Sequence, residues 1–317
     1  MTSQQIYELA VKMGIASDLR GPARVKKYLA RVKKQYEDLP QEAKAEFDRK
    51  KLTNPYSDTR LLVKGRQKPV KKILAGIDME GSELLLAKQL GDIDLVLAHH
   101  PEGEALADLA EVLSLQAEVL ADYGIPINIA ESVLKPRISE VARGVSSSNH
   151  NRAVDMAKIL GLDYLCVHTA SDNLAAAFII KLLKKNSREL ETVGDIVSLL
   201  KTVPEYREAV KIKAGPMISA GHEDHHCGKI VVTEFTGGTE GSKDIYEKMS
   251  HYGIGTVIGM HISEKSRHEA EKYHINVVIA GHMASDSLGL NLFLDEVEKK
   301  GVKVVPVSGL IRVKRFK

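Results

Sequence analysis

Two cysteines in 317 residues, Cys166 and Cys227, cannot make the disulfide framework of a small secreted domain. No apolar run approaches the roughly 20 residues that cross a bilayer. The opening residues MTSQQIYELAVKMG lack the basic-then-apolar pattern of an export signal. Internal repeats and low-complexity segments are missing too. Together these absences predict a cytoplasmic globular protein without a membrane partner.

What is present is ordinary in amount and uneven in arrangement. Hydrophobic residues make up 44% and charged residues 27%, and the length suits one large α/β domain or two smaller ones. The net charge of +3 hides an asymmetry: residues 1–70 hold 16 Lys and Arg against 8 Asp and Glu, and the remainder holds 29 against 34. A basic front end on a mildly acidic body predicts two parts with different work.

The front end reads as helical, without a strand pattern. Val25, Tyr28, Leu29, Val32 and Tyr36 recur as one stripe of an amphipathic helix, with Lys26, Lys27, Lys33 and Lys34 mainly off it. Pro40 and Pro55 mark stops, and residues 41–52 suit another short helix. We take 1–67 as a basic helical extension and 68–317 as the main domain, with the boundary near GRQKP.

From Val70 short apolar runs alternate with helical stretches. KKILAGID, DIDLVLAHH, IPINIAE, DYLCVHT, GKIVVTEF, GTVIGMH, INVVIAGH and GVKVVPVS read as strands. The segments between them, such as SELLLAKQL and SLGLNLFLDEVEKKG, have helical spacing. Residues 185–215 suit a connector or a small helical insertion. The fold class expected is α/β, with mostly parallel or mixed sheets flanked by helices.

In such sheets ligands bind beyond the carboxyl ends of the strands. Three strand ends carry ligand-type side chains: LVLA runs into His99 and His100, YLCVH into Asp172, and NVVIA into His282 with Asp286 four residues later. If that last turn is helical, His282 and Asp286 share a face about 6 Å apart along the axis. Imidazole with carboxylate suits Zn, Fe, Mn or Co better than Ca or Mg. Three histidines and two carboxylates exceed what one tetrahedral ion needs, and adjacent histidines suit one ion each. The count fits two divalent ions bridged by a carboxylate, with a bridging water as nucleophile. Taken singly, each segment reads equally well as a polar loop; their coincidence makes the case.

LVLAHHP, HTASDN and IAGHMASD resemble the three signature segments of the Nif-three-like family, the YbgI-type, GTP cyclohydrolase type 2-like proteins. The likeness covers residues 70–317 in order. It implies two metal ions held by His99, His100, Asp172, His282 and Asp286, where the family usually has Glu at the last position. It further implies a toroidal homohexamer whose metal sites face an internal cavity, and opening of the guanine ring of GTP as the reaction. The first 67 residues have no counterpart in the short family members.

Other residues carry two readings each. Gly237, Gly238 and Gly241 would cradle a phosphate, or serve a tight turn. His222, His225, His226 and Cys227 have ligand atoms but no standard zinc spacing, so a solvated loop is the plainer reading. His168 would orient a ligand or be a satisfied histidine. Glu102 is the candidate catalytic acid or base, and Glu104 the weaker one. His150 and His261 are placed near the site by strand-end logic alone. The basic helix could meet nucleic-acid phosphates, or be a solvated face. The leading expectation is a metal-dependent hydrolase acting on a small molecule such as a nucleotide. The alternative is a non-catalytic metal-binding module with a nucleic-acid or protein partner.

Overall fold

A computed structural model describes residues 1–65 and 68–316. The expected boundary at 67/68 falls on residues outside the described ones. The first sheet contains β1 (Arg60–Val63), β2 (Lys72–Gly76), β3 (Leu95–Ala98), β4 (Asp163–Cys166) and β9 (Lys303–Pro306), in the order β1-β4-β3-β2-β9. The second contains β5 (Met217–Ala220), β6 (Lys229–Glu234), β7 (Ile254–Gly259) and β8 (Asn276–Ile279), in the order β5-β8-β7-β6. Within each sheet all pairings are parallel except at one edge, where β1 runs against β4 and β5 against β8. Parallel neighbours need helical crossovers, and helices accordingly flank both sheets. Among the described residues no helix is long and apolar enough to cross a membrane.

Seven expected strands form where their apolar runs lie. IPINIAE does not. It opens a helix, Ile127–Ser146, with Pro126 just before it. Two isoleucines two apart mimic strand alternation, but Ala130, Leu134 and Ile138 continue at the helical interval and turn inward. The long apolar stretch after Gly103 breaks into helices Gly103–Ala107, Leu109–Val112 and Leu115–Asp122. Residues 185–215 contain helices Val193–Leu200 and Pro204–Lys211, the first opened by a reciprocal Thr192–Asp195 capping box.

The front end departs from its reading as a purely helical appendage. The helix Pro22–Asp38 does bury Val25 and half-bury Tyr28, Leu29, Val32 and Tyr36, leaving its lysines outside. Yet β1 joins the first sheet, and its leading residue, Arg60, is fully buried against Asp48 at 2.7 Å. A strand that starts on a charge shows no apolar alternation. Ile6, Ala10 and Tyr56 enter the same apolar cluster as Ile73, Leu97, Leu165 and Phe293, so this segment is part of the body's packing.

Candidate metal centre

The carboxyl ends of the two sheets supply one cluster. From the first sheet come Asp78 after β2, His99 and His100 after β3, and His168 and Asp172 after β4. From the second come Glu234 at the end of β6, His261 after β7, and His282 and Asp286 after β8. Asp172 sits in the first turn of the helix Thr169–Lys185, and His282 opens the helix His282–Glu298. Gly281 makes that second entry with φ 108°, in contact with the Ala214 carbonyl, where a side chain would be strained and obstructed.

His99 Nε2 lies 3.3 Å from Asp172 Oδ1 and 3.4 Å from Asp286 Oδ1. The other oxygen of Asp286 lies 3.5 Å from His100 Nε2 and 3.6 Å from His282 Nε2. His168 Nε2 stands 3.8 Å from Asp172 Oδ2. All five expected donors therefore meet, and His168 joins them.

The outer nitrogens are held by acceptors. His99 Nδ1 faces the Val167 carbonyl at 3.1 Å, His100 Nδ1 faces Asp78 at 2.6 Å, and His168 Nδ1 faces Asp58 at 2.8 Å. A carbonyl or carboxylate only accepts, so each Nδ1 donates outward and each Nε2 is the ring nitrogen turned toward the cluster. Metal-ligating histidines are oriented in this way.

Four atoms then lack a donor. His99 Nε2, Asp172 Oδ1 and both oxygens of Asp286 are buried without a hydrogen bond, an arrangement that costs free energy unless something positive sits between them. A bound divalent metal would supply that positive charge, so the residues fit a metal. Without one, burial and then the charges of Asp286 and Asp58 push Asp172 well above the usual carboxylate range. Burial pulls His99 down against the opposing pull of Asp286. It also brings His282 down to about 4, helped by His261. His100 goes the other way: burial disfavours its charge, but Asp286 and Asp78 outweigh that and lift it to about 9.

Asp172, His282 and Asp286 line a narrow cavity of about 30 Å³, with His168 and His261. Two wider clefts, of about 790 and 710 Å³, share no residue with the cluster.

The chain matches a NIF3 superfamily protein from Sphaerobacter thermophilus with 26% identity and a TM-score of 0.78, over 98% of this chain and 99% of that one. The fold is that of the NIF3 superfamily. Reduced HcgD from Methanocaldococcus jannaschii is similar at 15% identity and a TM-score of 0.48, over 84% of this chain and 94% of that one. TTHA1606 from Thermus thermophilus is similar at 15% and 0.43, over 92% and 99%. No protein-family model and no curated protein matches the sequence.

Around this NIF3-fold centre the remaining candidates divide. His261 faces it, its ring centroid 4.8 Å from that of His282. His150 does not: its Nε2 meets the Val145 carbonyl at 2.8 Å. Glu102 is half-buried beside Glu80 and Arg152 and does not line the cavity; burial, then the Glu80 charge, raises its pKa. Glu104 is exposed and pairs with Lys50. His222, His225 and His226 lie on an exposed loop, with His225 bonded to Asn276 and the Cys227 thiol donating to the Leu190 carbonyl. That bears out the solvated-loop reading for the three histidines, whereas Cys227 is buried.

The glycine loop is a tight turn. Gly237 and Gly238 have φ of 96° and 83°, and a Cβ on Gly238 would stand 2.6 Å from Val112. Gln116 donates to the carbonyls of Thr236 and Thr239, and the Gly241 N–H is taken by the Glu234 carboxylate at 3.0 Å. The helix that follows, Ile245–His251, has only 7 residues. An internal carboxylate holds the N–H that a phosphate would need.

Sequence reasoning missed Asp58, Asp78 and Glu234. Asp78 ends the segment KKILAGID and Glu234 is the last residue but one of GKIVVTEF, so the strand-end rule would have found them. Asp58 lies before β1 in the basic front end, and no local pattern points from there to His168.

Proposed function

We propose that this chain is a hydrolase working with two divalent transition-metal ions, Zn, Fe, Mn or Co, held by His99, His100, Asp172, His282 and Asp286. One observation carries the reading: Asp286 turns one oxygen toward His99 and the other toward His100 and His282. The donors thereby form two sets that share Asp286, one with His99 and Asp172, the other with His100 and His282. Asp286 would be the donor shared by both ions, although it is one methylene shorter than the family's Glu. Three protein donors per ion leave positions for water and substrate. Such ions polarise a substrate oxygen and turn bound water into a nucleophile near neutral pH.

This chain's own residues do the rest. Asp78, Asp58 and the Val167 carbonyl hold the imidazoles in their metal-facing tautomer. Phe235 and Met260 line the cavity beside the donors and limit water. A cavity of about 30 Å³ admits a water or the reacting end of a substrate, whereas drug-sized ligands fill about 300 Å³ or more. A nucleotide such as GTP would keep its body outside, against a neighbouring copy. A homohexamer suits that need, and Leu85, Leu86, Leu90 and Ile159 are exposed apolar residues available for contact between copies. The two buried free cysteines suit the reducing cytoplasm. In this reading residues 68–317 carry the metal-binding unit and residues 1–67 brace it through Asp58.

Elemental analysis of freshly purified protein tests the proposal, with about two equivalents of transition metal expected per chain. His99→Ala and Asp172→Ala should lose metal together with turnover of GTP or of a panel of nucleotides, phosphoesters and cyclic amides. Full metal content in both variants would sink the assignment. The exposed lysines of the helix Pro22–Asp38 favour a second reading, a non-catalytic module that meets nucleic acid. Salt-sensitive binding abolished by replacing Lys26, Lys27, Lys33 and Lys34 with Ala, without any turnover, would support it.

A further inference from the structure

The helix His282–Glu298 is polar on two sides. His282 and Asp286 face the donors of the first sheet. Ser287, Asn291, Asp295 and Glu298 lie about 100–180° around the helix from Asp286, on its rear. Ser287, Asn291 and Asp295 are buried there, so their polar atoms need partners.

Residues 307–316, which follow β9, supply them. Where the segment leaves the sheet, the Ile77 N–H donates to the Ser308 carbonyl at 2.9 Å, and the Ser308 hydroxyl donates to the carbonyl of Asp78. The carboxylate of that same Asp78 holds His100 Nδ1. Ser308 and Gly309 then turn the chain with φ of 43° and 80°, and it runs along the rear of the helix. The Ile311 N–H donates to Ser287 Oγ at 3.0 Å, and Asn291 Nδ2 donates to the Ile311 carbonyl at 2.8 Å. The Arg312 guanidinium donates to Asp295 at 2.6 Å and pairs with Glu298.

Arg315 makes the far anchor. It donates to both oxygens of the fully buried Glu205, at 2.7 and 2.6 Å. Glu205 lies on the helix Pro204–Lys211, and its neighbour Tyr206 meets Ser285 Oγ at 2.9 Å. The Ser285 hydroxyl gives its proton to the Gly281 carbonyl at 2.7 Å, so Tyr206 is the donor to Ser285. Gly281 and Ser285 immediately precede His282 and Asp286.

We infer that residues 307–316 are a strap that positions the metal donors, fixing Asp78 on the first sheet relative to the helix that carries His282 and Asp286. The inference rests on the two-ion reading above. Its contacts lead to His100 through Asp78, and to His282 through Tyr206, Ser285 and Gly281. His99 is oriented instead by the Val167 carbonyl. The strap therefore acts chiefly on the ion set of His100 and His282, and Arg315, Ser308 and Tyr206 are positioning residues that touch no metal donor.

Full-length wild type, Arg315→Ala, Arg315→Lys, Ser308→Ala and Tyr206→Phe are loaded with Co(II) and compared for metal content, chelator competition and visible absorption, with circular dichroism to establish that each is folded. Arg315→Ala, Ser308→Ala and Tyr206→Phe are expected to hold one of the two ions about 10–100-fold more weakly and to shift the Co(II) bands. Arg315→Lys keeps a cation at Glu205 and should recover part of the affinity. Tyr206→Phe leaves no charge uncompensated, so it carries the test if Arg315→Ala does not fold. A segment that only stabilises the fold would lower the melting temperature and leave affinity and spectrum as in the wild type, and that result overturns the inference. A wild type that takes up fewer than two ions sinks the two-ion reading and the strap with it. Two ions in the wild type, held as tightly by the folded variants, sink the strap alone.

Discussion

Gly289 packs directly against the Ser171 carbonyl: a Cβ added at Gly289 would stand 2.2 Å from that oxygen. The two residues lie on the helices His282–Glu298 and Thr169–Lys185, which carry Asp286 and Asp172. Their contact is what lets two carboxylates from distant parts of the chain reach His99 together.

Gly289→Ala should therefore push the helices apart. Backbone cannot yield as a flexible side chain does, so a loss of about 1–3 kcal/mol in stability is expected from overpacking. Metal affinity should fall with it. Urea denaturation and a metal titration check both, and unchanged affinity would show that helix spacing does not set the site.

Asp78→Ala removes the acceptor that orients His100. Loss of such a partner weakens metal binding by about 10–100-fold, with little change in fold because Asp78 is exposed. Competition against a chelator measures it.

Asp18→Ala tests the internal packing of the front end. Asp18 accepts from the Arg20 guanidinium at two 2.9 Å bonds and from the Tyr56 hydroxyl at 2.8 Å, all buried. Removing it leaves a buried guanidinium uncompensated, which costs about 3–5 kcal/mol. A loss below about 1 kcal/mol in chemical denaturation, the range of an exposed pair, would mean that Arg20 finds water or Glu118 instead.

Glu234 also predicts a pH dependence of stability. Its carboxyl binds a proton more tightly folded than unfolded, with pKa raised from 4.5 to about 7. Between those values the folded state holds a proton that the unfolded state has released, so stability falls as pH rises and levels off above 7. Its outer edge is partly exposed, so the cost is on the order of 2 kcal/mol rather than the full shift. Glu234→Gln should abolish that fall, and parallel melts at pH 5 and 8 that show the same slope in both proteins would refute it.

Much of the scaffold is legible from local pattern. LVLA, YLCV and NVVIA are apolar on both faces and can only be interior strands, and the stripe Val25–Tyr36 can only be a helix with one face in. What misled was short or charged: IPINI imitates a strand within a helix, and β1 hides behind Arg60. The donors were found because His99, His100, Asp172, His282 and Asp286 follow apolar runs, where a polar residue has no reason to be buried unless something holds it.

The sequence by itself determined which side chains stand at the strand ends and what chemistry they offer, because side-chain type and local periodicity are written residue by residue. Tertiary structure alone decided that the donors come from the facing edges of two sheets, that Asp286 turns its two oxygens to different histidines, and that Asp58 supports His168 from more than a hundred residues away. Those relations depend on how helices and sheets pack, and packing is set by contacts such as Gly289 on Ser171 that no local pattern contains.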